Sequence, residues 1–268
     1  MKDSLLTRFE KINLPGVRKI LAVGSGKGGV GKSTVAYTLA QLLAKKGLKI
    51  GLLDADLHGP SLPSLSGVSA PHVMAPEKKI MPHIIHGVAC VSMGFLVPEA
   101  GAIVWRGPMV QSALRQLLAD TQWGELDCLV VDLPPGTSDV HLTLVQRTTL
   151  DGVILVATPG EVALADVRRT LDFFDKTHTP VVGLVENMGV FVCGGCQKET
   201  RLFGQEALAK EADERGVTLL ASLPLDPGLT QGRVLSFEKN TLIGEATRAA
   251  YHTLADHAHA WVIQEVPR

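Results

Sequence analysis

The sequence lacks three features, each of which would assign the chain to a broad class of proteins. No apolar run approaches the about 18 residues that a membrane-spanning helix requires. Cysteine is scarce, and four residues in such a protein do not form a disulfide framework. Charge of one sign is also missing, because 26 basic and 27 acidic residues leave a net charge of −1. Without an apolar span or a basic face, neither a membrane nor a nucleic acid is an expected partner.

The sequence also shows no targeting signal and no internal repeat. Met1–Gly16 contains Asp3 and Glu10 and has no apolar stretch of the kind found in secretory signals. We therefore expect a cytoplasmic protein. A length of 268 residues suits one large α/β domain. We predict a single domain over residues 1–268, in which residues 1–17 form a lead-in segment.

Apolar runs typical of buried strands alternate with segments of helical spacing along most of the chain. This alternation predicts an α/β fold with a mostly parallel, doubly wound sheet flanked by helices. Ligands of such sheets bind at the C-terminal ends of the strands. The predicted strands are Lys19–Gly24, Lys49–Asp54, Val88–Met93, Cys128–Asp132, Gly152–Ala157, Val181–Glu186 and Thr218–Ala221. The predicted helices are Lys32–Lys46, Pro108–Asp120, Val140–Arg147, Val162–Lys176, Gly204–Arg215 and Thr241–Glu265.

One segment, Pro60–Ile85, is rich in proline and serine and follows neither pattern. We interpret it as a surface excursion that ends in a hairpin, and the sequence leaves its role open. Cys90 and Cys128 lie within predicted strands, where a thiol behaves as a small core residue.

Residues 26–34 read GKGGVGKST, which satisfies the P-loop pattern G-x-x-x-x-G-K-[ST]. The motif lies between a predicted strand and a predicted helix, as a nucleotide-binding P-loop requires. Its glycines allow the backbone amides and the helix N-terminus to surround phosphate oxygens. The motif therefore predicts a nucleoside triphosphate site, which we assign to ATP. The predicted binding residues are Gly28, Gly29, Val30, Gly31, Lys32, Ser33 and Thr34.

Two residues of this motif have predicted roles of their own. Lys32 should reach the β- and γ-phosphates, and the Ser33 hydroxyl should bind Mg²⁺. Lys27 is an additional lysine directly after the first glycine. On its own it would be read as a solvated loop lysine.

Carboxylates follow two of the predicted strands. Asp132 ends an apolar strand and precedes a turn that contains Gly136, an arrangement suited to ordering Mg²⁺ and sensing the γ-phosphate. Asp54 and Asp56 follow another strand, and both would point to one side if the strand continued. We place Asp132 and Asp56 in the site. The sequence leaves Asp54 open between such a role and the turn-forming role common at strand ends.

A C-x-x-C sequence, Cys193-Gly194-Gly195-Cys196, places two thiols on one tight turn. Thiolate pairs bind soft metals, but a tetrathiolate site for zinc or an iron–sulfur cluster needs four ligands. A twofold homodimer would supply two from each chain. The residues leave three interpretations open: a bridging iron–sulfur cluster, a structural zinc that staples the dimer, and a redox pair.

Several motifs together resemble one family. GKGGVGKST resembles the deviant Walker A motif of the MinD/ParA/nitrogenase-iron-protein class. Six further stretches between Gly16 and Ile243 are DADLHGPSLP from Asp54, WRGPMVQSALRQLL from Trp105, LVVDLPPGTSDVHLTL from Leu129, TPGEVALADVRRT from Thr158, ENMGVFVCGGC from Glu186 and LPLDPGL from Leu223. Together they resemble Mrp/ApbC-type P-loop ATPases, which carry iron–sulfur clusters.

The resemblance implies residue roles that the patterns alone do not. Lys27 would reach across a dimer interface to the partner's nucleotide, and Asp56 would position the attacking water. Asp132 would lie near Mg²⁺. Asn187 would contact the adenine edge, and the loop from Pro224 to Asp226 would lie beside the base. The segment 187–203 would be an insertion that carries the C-x-x-C pair.

We therefore expect an ATP-hydrolysing carrier that binds a bridging iron–sulfur cluster in a homodimer. The cluster type that we expect is [4Fe–4S]. Its partners would be cluster donors and recipient apoproteins, and its turnover would be slow because Asp56 is the only evident base. The alternatives are a MinD/ParA-like positioning protein, a zinc-stapled ATPase and a carrier of another metal. The tail 257–268 is poor in cations, which disfavours binding to anionic lipid. Many relatives have a further N-terminal domain, whose function we expect to be absent here or supplied by another protein.

Overall fold

The computed structural model describes residues 11–75, 79–96, 107–137, 139–196, 198–203, 207–229 and 236–265. Three predicted features lie partly outside these ranges. They are the lead-in segment, the motif that begins at Trp105 and the helix predicted from Gly204. Strands and helices alternate along the chain, as the sequence predicts. The strands are β1 Ile20–Gly24, β2 Ile50–Asp54, β3 His83–Ile85, β4 Val88–Ser92, β5 Cys128–Asp132, β6 Gly152–Ala157, β7 Val181–Val192, β8 Glu199–Thr200 and β9 Leu219–Leu225. The helices are α1 Lys32–Lys45, α2 Leu62–Ser66, α3 Gly107–Ala119, α4 Asp139–Arg147, α5 Glu161–Lys176, α6 Ala207–Arg215 and α7 Glu245–Ile263, with short 3₁₀ turns at Met93–Phe95 and Pro227–Leu229.

The described strands form one nine-stranded, mostly parallel sheet in the order β3-β4-β2-β5-β1-β6-β7-β8, and β9 also pairs with β7. Among these strands, only the short β3 and β8 pair antiparallel, with β4 and β7 respectively. The parallel pairing of β1 with both β5 and β6 places the loop after β1 at the centre of the C-terminal edge. The predicted α/β fold with a parallel core is confirmed.

Helices cover both faces of the sheet. The side chains of each strand point alternately to opposite sides, so both faces carry apolar residues that the helices bury. Leu21 and Val23 of β1 pack in a core with the buried residues of α1 and α7. Ile20 and Ala22 face the other way, into a core formed with α3, α4, α5 and α6. The doubly wound arrangement predicted from the sequence is therefore present. Within the described ranges, no helix is long and apolar enough to cross a membrane.

The largest departure from the predicted elements is the length of β7. The strand was expected to end at Glu186, but it continues to Val192 because β9 and β8 both pair with its extension. Residues 187–192 therefore continue the sheet, and the chain returns antiparallel to them at Glu199–Thr200. At the other end of the chain, the last helix begins at Glu245 instead of Thr241, because the Gly244 N–H is held by Asp226 Oδ2 at 2.8 Å.

The segment Pro60–Ile85 does end in a hairpin, as expected, through the antiparallel pair β3–β4. It also contains the short helix α2, which the sequence pattern did not predict. Cys90 and Cys128 are fully buried on β4 and β5, and burial raises the pKa of both thiols to about 12. Both are core residues, as predicted.

Candidate functional site

The P-loop lies between β1 and α1 and wraps around a cavity of about 270 Å³. Gly29 and Gly31 adopt φ values of 77° and 81°, which side chains other than glycine rarely tolerate. Gly26 lies so close to α5 that a Cβ there would be 2.6 Å from Asp166 Cβ. The predicted phosphate-binding residues and Asp56 share this cavity. Its lining consists of Ser25, Lys27, Gly28, Gly29, Val30, Gly31, Lys32, Ser33, Thr34, Asp56, Ser61, Leu65 and Pro135.

The predicted phosphate-binding and magnesium-binding side chains meet at the start of α1. The buried Lys32 ammonium forms an ion pair with Asp132 Oδ1 and also donates to Ser33 Oγ at 3.1 Å. Burial raises the pKa of the Asp132 carboxyl, and the Lys32 ammonium opposes that rise. A hydroxyl and a carboxylate beside each other are hard oxygen ligands, the kind that Mg²⁺ prefers.

Asp54 is fully buried at the end of β2, and its carboxylate holds the chain that follows. Its Oδ1 accepts the Asp56 N–H at 3.2 Å, and its Oδ2 accepts the Leu62 N–H and the Ser92 hydroxyl, each at 3.1 Å. Burial and the nearby Asp132 raise the pKa of Asp54 to about 7. The geometry therefore assigns Asp54 the turn-forming role, because it fixes the position of Asp56.

The loops after β2 and β5 lie beside the P-loop, and both strands are on the same side of β1 in the sheet. Asp56 is half-buried, lines the cavity and accepts the Gly59 N–H through Oδ1 at 3.2 Å. After Asp132, the Gly136 N–H donates to the Ser25 carbonyl at 2.8 Å. The loop after β2 therefore borders the phosphate cavity, and the loop after β5 is bonded to the residue before the P-loop motif.

Lys27 differs from Lys32 in its contacts. Its half-buried side chain lines the phosphate cavity. Within the described part of the chain, no hydrogen bond or ion pair holds the Lys27 ammonium, whereas the Ser25 hydroxyl donates to its backbone carbonyl at 2.9 Å. The ammonium is therefore available to a charge from outside its own chain.

Asn187 lies against the P-loop, a contact that the sequence did not predict. Its Nδ2 donates to the Val30 carbonyl at 2.8 Å, and the side chain is buried. A Cβ added at Gly31 would collide with the same Nδ2. This carboxamide therefore packs on the phosphate loop, so its predicted contact with adenine stays a prediction.

Pro224 and Asp226 line a second cavity, of about 620 Å³. Phe191, Val192 and Gly194 form another part of its wall, so the cavity lies beside the cysteine hairpin. The Asp226 carboxylate is fully used within its loop, because Oδ1 accepts the Gly228 N–H and Oδ2 the Gly244 N–H, both at 2.8 Å. Asp226 therefore shapes the wall of this cavity.

Cys193 and Cys196 lie at the tip of the hairpin between β7 and β8. The Cys193 N–H donates to the Lys198 carbonyl at 3.1 Å and closes the turn. Cys193 is half-buried and Cys196 is exposed, and neither forms a disulfide. The pKa of Cys193 is lowered by the backbone N–H of Cys196, and then by the Gly195 N–H and the Cys196 side chain. A lowered thiol pKa favours the thiolate that binds metals.

Within the described ranges, other side chains do not complete the cysteine pair into a metal site. Among the residues that the structure describes, no group of three or more His, Cys, Asp or Glu side chains could hold a metal ion. The hairpin therefore presents two exposed or half-exposed thiols, fewer than a tetrathiolate site requires.

The sequence pattern left the role of one buried residue open and did not predict the role of another. Asp54 was left open, although its spacing of two from Asp56 was a usable signal, and Ser92 was not considered. Ser92 is fully buried at the end of β4 and donates to Asp54. No local pattern marks such a serine, since its role depends on the pairing of β4 with β2.

Comparison with known proteins agrees with this geometry. Residues 16–257 match the family described as ParA, NUBPL iron-transfer P-loop NTPase. An iron–sulfur cluster carrier protein of Escherichia coli is 41% identical over 259 residues, which cover 94% of this chain and 70% of that protein. An iron–sulfur protein of Arabidopsis thaliana, required for mitochondrial NADH dehydrogenase, is 46% identical over 84% of this chain and 72% of its own length. The chain spans 62% of a cluster carrier protein of Aquifex aeolicus, at 46% identity.

Solved structures of related proteins share the fold. A nucleotide-binding protein of Archaeoglobus fulgidus, in complex with ADP, superposes with a TM-score of 0.72 at 37% identity, over 81% of this chain and 86% of that chain. The cell-division ATPase MinD of Pyrococcus furiosus superposes with a TM-score of 0.65 at 23% identity, over 91% of this chain and 99% of that chain, and so supports the fold alone. With the family match over residues 16–257, these likenesses show that the chain belongs to the ParA/NUBPL iron-transfer P-loop NTPase family.

Proposed function

We propose that this protein is an ATP-hydrolysing carrier of iron–sulfur clusters, which holds its cargo between two copies of the chain and delivers it to apoproteins. The observation that carries the proposal is the presence of two incomplete sites in one domain. A phosphate cavity contains a lysine without a partner in the described part of its own chain, and an accessible hairpin offers only two thiols. Relatives named as cluster carriers support the same conclusion.

At the phosphate site, each side chain has a defined task. The Lys32 ammonium would neutralise phosphate charge, and Ser33 Oγ and the Asp132 carboxylate, which both lie beside it, would hold Mg²⁺. When bound, Mg²⁺ neutralises charge that develops on the phosphates. Asp56, fixed through Asp54, orients the attacking water. We expect slow turnover, because Asp56 is the only carboxylate among the residues that line the described cavity.

The base of the nucleotide would lie towards the second cavity, beside Pro224 and Asp226. The cavity volume of about 620 Å³ falls within the range of small-molecule sites, and Phe191 and Leu225 supply apolar surface for a purine. Asn187 lies on the P-loop side, where its carboxamide oxygen could accept a hydrogen bond from adenine.

At the hairpin, two thiolates from each of two chains would supply the four ligands of a bridging cluster. A [4Fe–4S] cluster fits this count. Zinc also fits four thiolates, so the identity of the metal has to be measured.

Anaerobic reconstitution tests the cargo. We expect about four iron atoms per pair of chains, as a four-thiolate cubane requires, with a broad visible absorption. The double variant Cys193→Ser/Cys196→Ser should lose this iron, while the control Cys90→Ala removes a buried thiol and should keep it. Iron retained by the double variant, or zinc alone in protein isolated without oxygen, would refute the cluster assignment.

Mixing two inactive variants tests the role of Lys27. Lys27→Ala lacks the lysine, and Asp56→Asn lacks the group that orients water. If Lys27 acts across the interface, a mixed dimer contains one intact site, and an equimolar mixture should regain about a quarter of the wild-type ATPase rate. If Lys27 acts within its own chain, no mixed dimer has an intact site and the mixture stays inactive.

A further inference from the structure

One strand, β7, connects the phosphate loop with the cysteine hairpin. Asn187 contacts the P-loop, and Cys193 follows it by six residues. At the rise of an extended chain, the two residues are within about 20 Å of each other. The described backbone between them runs through the sheet and, at Phe191 and Val192, through the pairing with β8.

The Asn187 contact fixes the orientation of one peptide group in the phosphate loop. Asn187 Nδ2 donates to the Val30 carbonyl, which belongs to the same planar, trans peptide unit as the Gly31 N–H. In such a unit the C=O and N–H point in opposite directions. Because the carbonyl is drawn towards Asn187, the Gly31 N–H points away from it, as a donor to phosphate in the P-loop cavity would.

Directly after Asn187, the pairing of β7 with β9 becomes irregular. Asn187 pairs with Leu223 and Phe191 pairs with Leu225, so three residues of β7 lie opposite a single residue of β9. Met188 has a φ of 61°, a left-handed conformation that is uncommon for a residue with a side chain. Residues 188–190 therefore form a bulge between the P-loop contact and the hairpin.

The bulge rests on a fixed base. Glu186 is buried and accepts the Ser222 hydroxyl at 2.6 Å. Gly189 lies over this pair, since a Cβ at Gly189 would collide with Glu186 Oε2 and lie 2.6 Å from Ser222 Oγ. Gly189 therefore seats the bulge on the sheet, and the bulge is the segment of β7 through which the backbone passes from Asn187 to the hairpin.

We propose that Asn187 is a positioning residue that orients the Gly31 N–H for phosphate and couples occupancy of the P-loop to the cysteine hairpin through the bulge 188–190. The coupling rests on the proposed function, because it assumes a nucleotide at one site and a thiolate-bound metal at the other. The bulge is the element that takes different arrangements in the two states. By linkage, metal on the cysteines and nucleotide on the P-loop must change each other's affinity by the same factor.

The first experiment separates phosphate positioning from recognition of the base. Binding of Mg–ADP, Mg–GDP and inorganic pyrophosphate is measured for the wild type, Asn187→Asp and Asn187→Ala. Asn187→Asp keeps the shape and removes the donor to Val30, but it adds a negative charge beside the phosphate loop, so Asn187→Ala measures the lost hydrogen bond without that charge. We expect all three ligands to bind about 5- to 10-fold more weakly to Asn187→Ala, the effect of one lost hydrogen bond, and at least as weakly to Asn187→Asp, whose carboxylate also repels phosphate. A variant that keeps its affinity for pyrophosphate and loses only the preference for ADP over GDP would overturn the positioning role.

The second experiment measures the coupling, with Cd²⁺ as the thiolate probe. The affinity of the protein for Cd²⁺ is measured with and without Mg–ADP. Its affinity for Mg–ADP is then measured with and without Cd²⁺. We expect a coupling factor of about 5 or more in the wild type. In Asn187→Asp, the coupling factor should differ from a value of 1 by no more than about twofold. A factor near one in the wild type, or an unchanged factor in both Asn187 variants, would overturn the coupling.

Two controls distinguish an absence of coupling from a failure of the proposed function. Cys193→Ser/Cys196→Ser should bind no Cd²⁺ at the hairpin, and if Cd²⁺ binding persists, the cysteine site itself is wrongly assigned. Ligand-free melting temperatures of the Asn187 variants show whether each is folded. The coupling factor is then compared only among folded variants, of which Asn187→Asp is the nearest in shape to the wild type.

Discussion

The phosphate loop and the cysteine hairpin lie along the same strand but are built differently. Around the P-loop, the ionisable groups Lys32, Asp54 and Asp132 are almost completely buried and are held by hydrogen bonds or an ion pair. At the hairpin, the partner strand β8 has two residues, both exposed, and Cys196 is exposed. Apart from Lys27, the first region is preorganised by its own chain, whereas the second offers only two thiols and is open to completion by another chain.

This difference suggests a division of labour. A site that binds a common small ligand gains from a rigid cradle, because little ordering remains to be done on binding. A site that must accept and release a cluster needs access, and regions with few buried contacts open most readily. A substitution in one region should therefore not abolish ligand binding at the other region.

Removal of Lys32 should have the largest effect. Lys32→Ala leaves the buried Asp132 carboxylate without its ion-pair partner, which we expect to lower the free energy of unfolding by about 3 kcal/mol. Loss of the phosphate contact should lower the ATPase rate by on the order of 100-fold or more. Steady-state ATPase assays and urea denaturation measure the two effects, and anaerobic reconstitution should still load iron on the hairpin.

A matched control comes from the same helix. Lys45 forms an ion pair with Glu238 at 2.8 Å, but its side chain is 59% exposed. Lys45→Ala should change the free energy of unfolding by less than about 1 kcal/mol and leave the ATPase rate unchanged. Equal effects at Lys32 and Lys45 would contradict the contrast between buried and exposed charges.

Asp54 and Asp56 should separate positioning from chemistry. Asp54→Asn replaces one acceptor oxygen by an amide group, so at least one of the bonds to Asp56, Leu62 and Ser92 is lost. We expect a fall in the free energy of unfolding of about 1–3 kcal/mol and a reduced ATPase rate. Asp56→Asn should abolish hydrolysis with almost no loss of stability, since this side chain is half-exposed.

Thermal melts and single-turnover ATPase measurements on both variants decide between these roles. If Asp54→Asn retains full stability, the carboxylate does not hold the loop as described. If Asp56→Asn still hydrolyses ATP at the wild-type rate, another group orients the water.

Sequence reasoning was strongest where a local pattern has one physical cause. The P-loop was predictable because glycines, Lys32 and Ser33 at fixed spacing serve one purpose between a strand and a helix. The sheet was predictable because buried parallel strands such as β1 and β5 are continuous apolar runs. The acids after β2 and β5 then had to lie at the same edge.

Other features depend on contacts between distant segments and leave no local signal. The extension of β7 exists because β8 and β9 pair with it, whereas its own residues include Asn187 and Gly189, which are poor strand formers. The contact of Asn187 with Val30 joins residues 157 positions apart. The role of Asp54 depends on Ser92 of the neighbouring strand.

Mild acid should weaken the side of the sheet that supports the phosphate site. His72 is buried, receives the Ser92 N–H on Nε2 at 3.3 Å and stacks on His83. Burial, and then the neighbouring His83, lower the pKa of His72 to about 4. The unfolded chain takes up a proton near pH 6.5, so the free energy of unfolding should fall as the pH falls from about 6.5 to 4 and should not change through this group above that range.

The variant His72→Gln lacks this titration. The difference in the free energy of unfolding between wild type and variant should shrink by about 2–3 kcal/mol between pH 7.5 and pH 4. Urea denaturation at several pH values measures it. A difference that stays constant with pH would show that His72 already titrates near its ordinary pKa in the folded protein.

The smallest effects on global stability should come from the hairpin. Glu199→Ala/Thr200→Ala changes two exposed residues of β8 and should alter the free energy of unfolding by no more than about 0.5 kcal/mol. Hydrogen exchange is the sharper measurement, because it reports local opening. The Cys193 N–H, bonded to the Lys198 carbonyl in an exposed turn, should exchange orders of magnitude faster than the amides of β1, whose residues are all buried. Equally slow exchange at both places would mean that the hairpin is as rigid as the phosphate loop, and the openness on which cluster transfer depends would have to come from somewhere else.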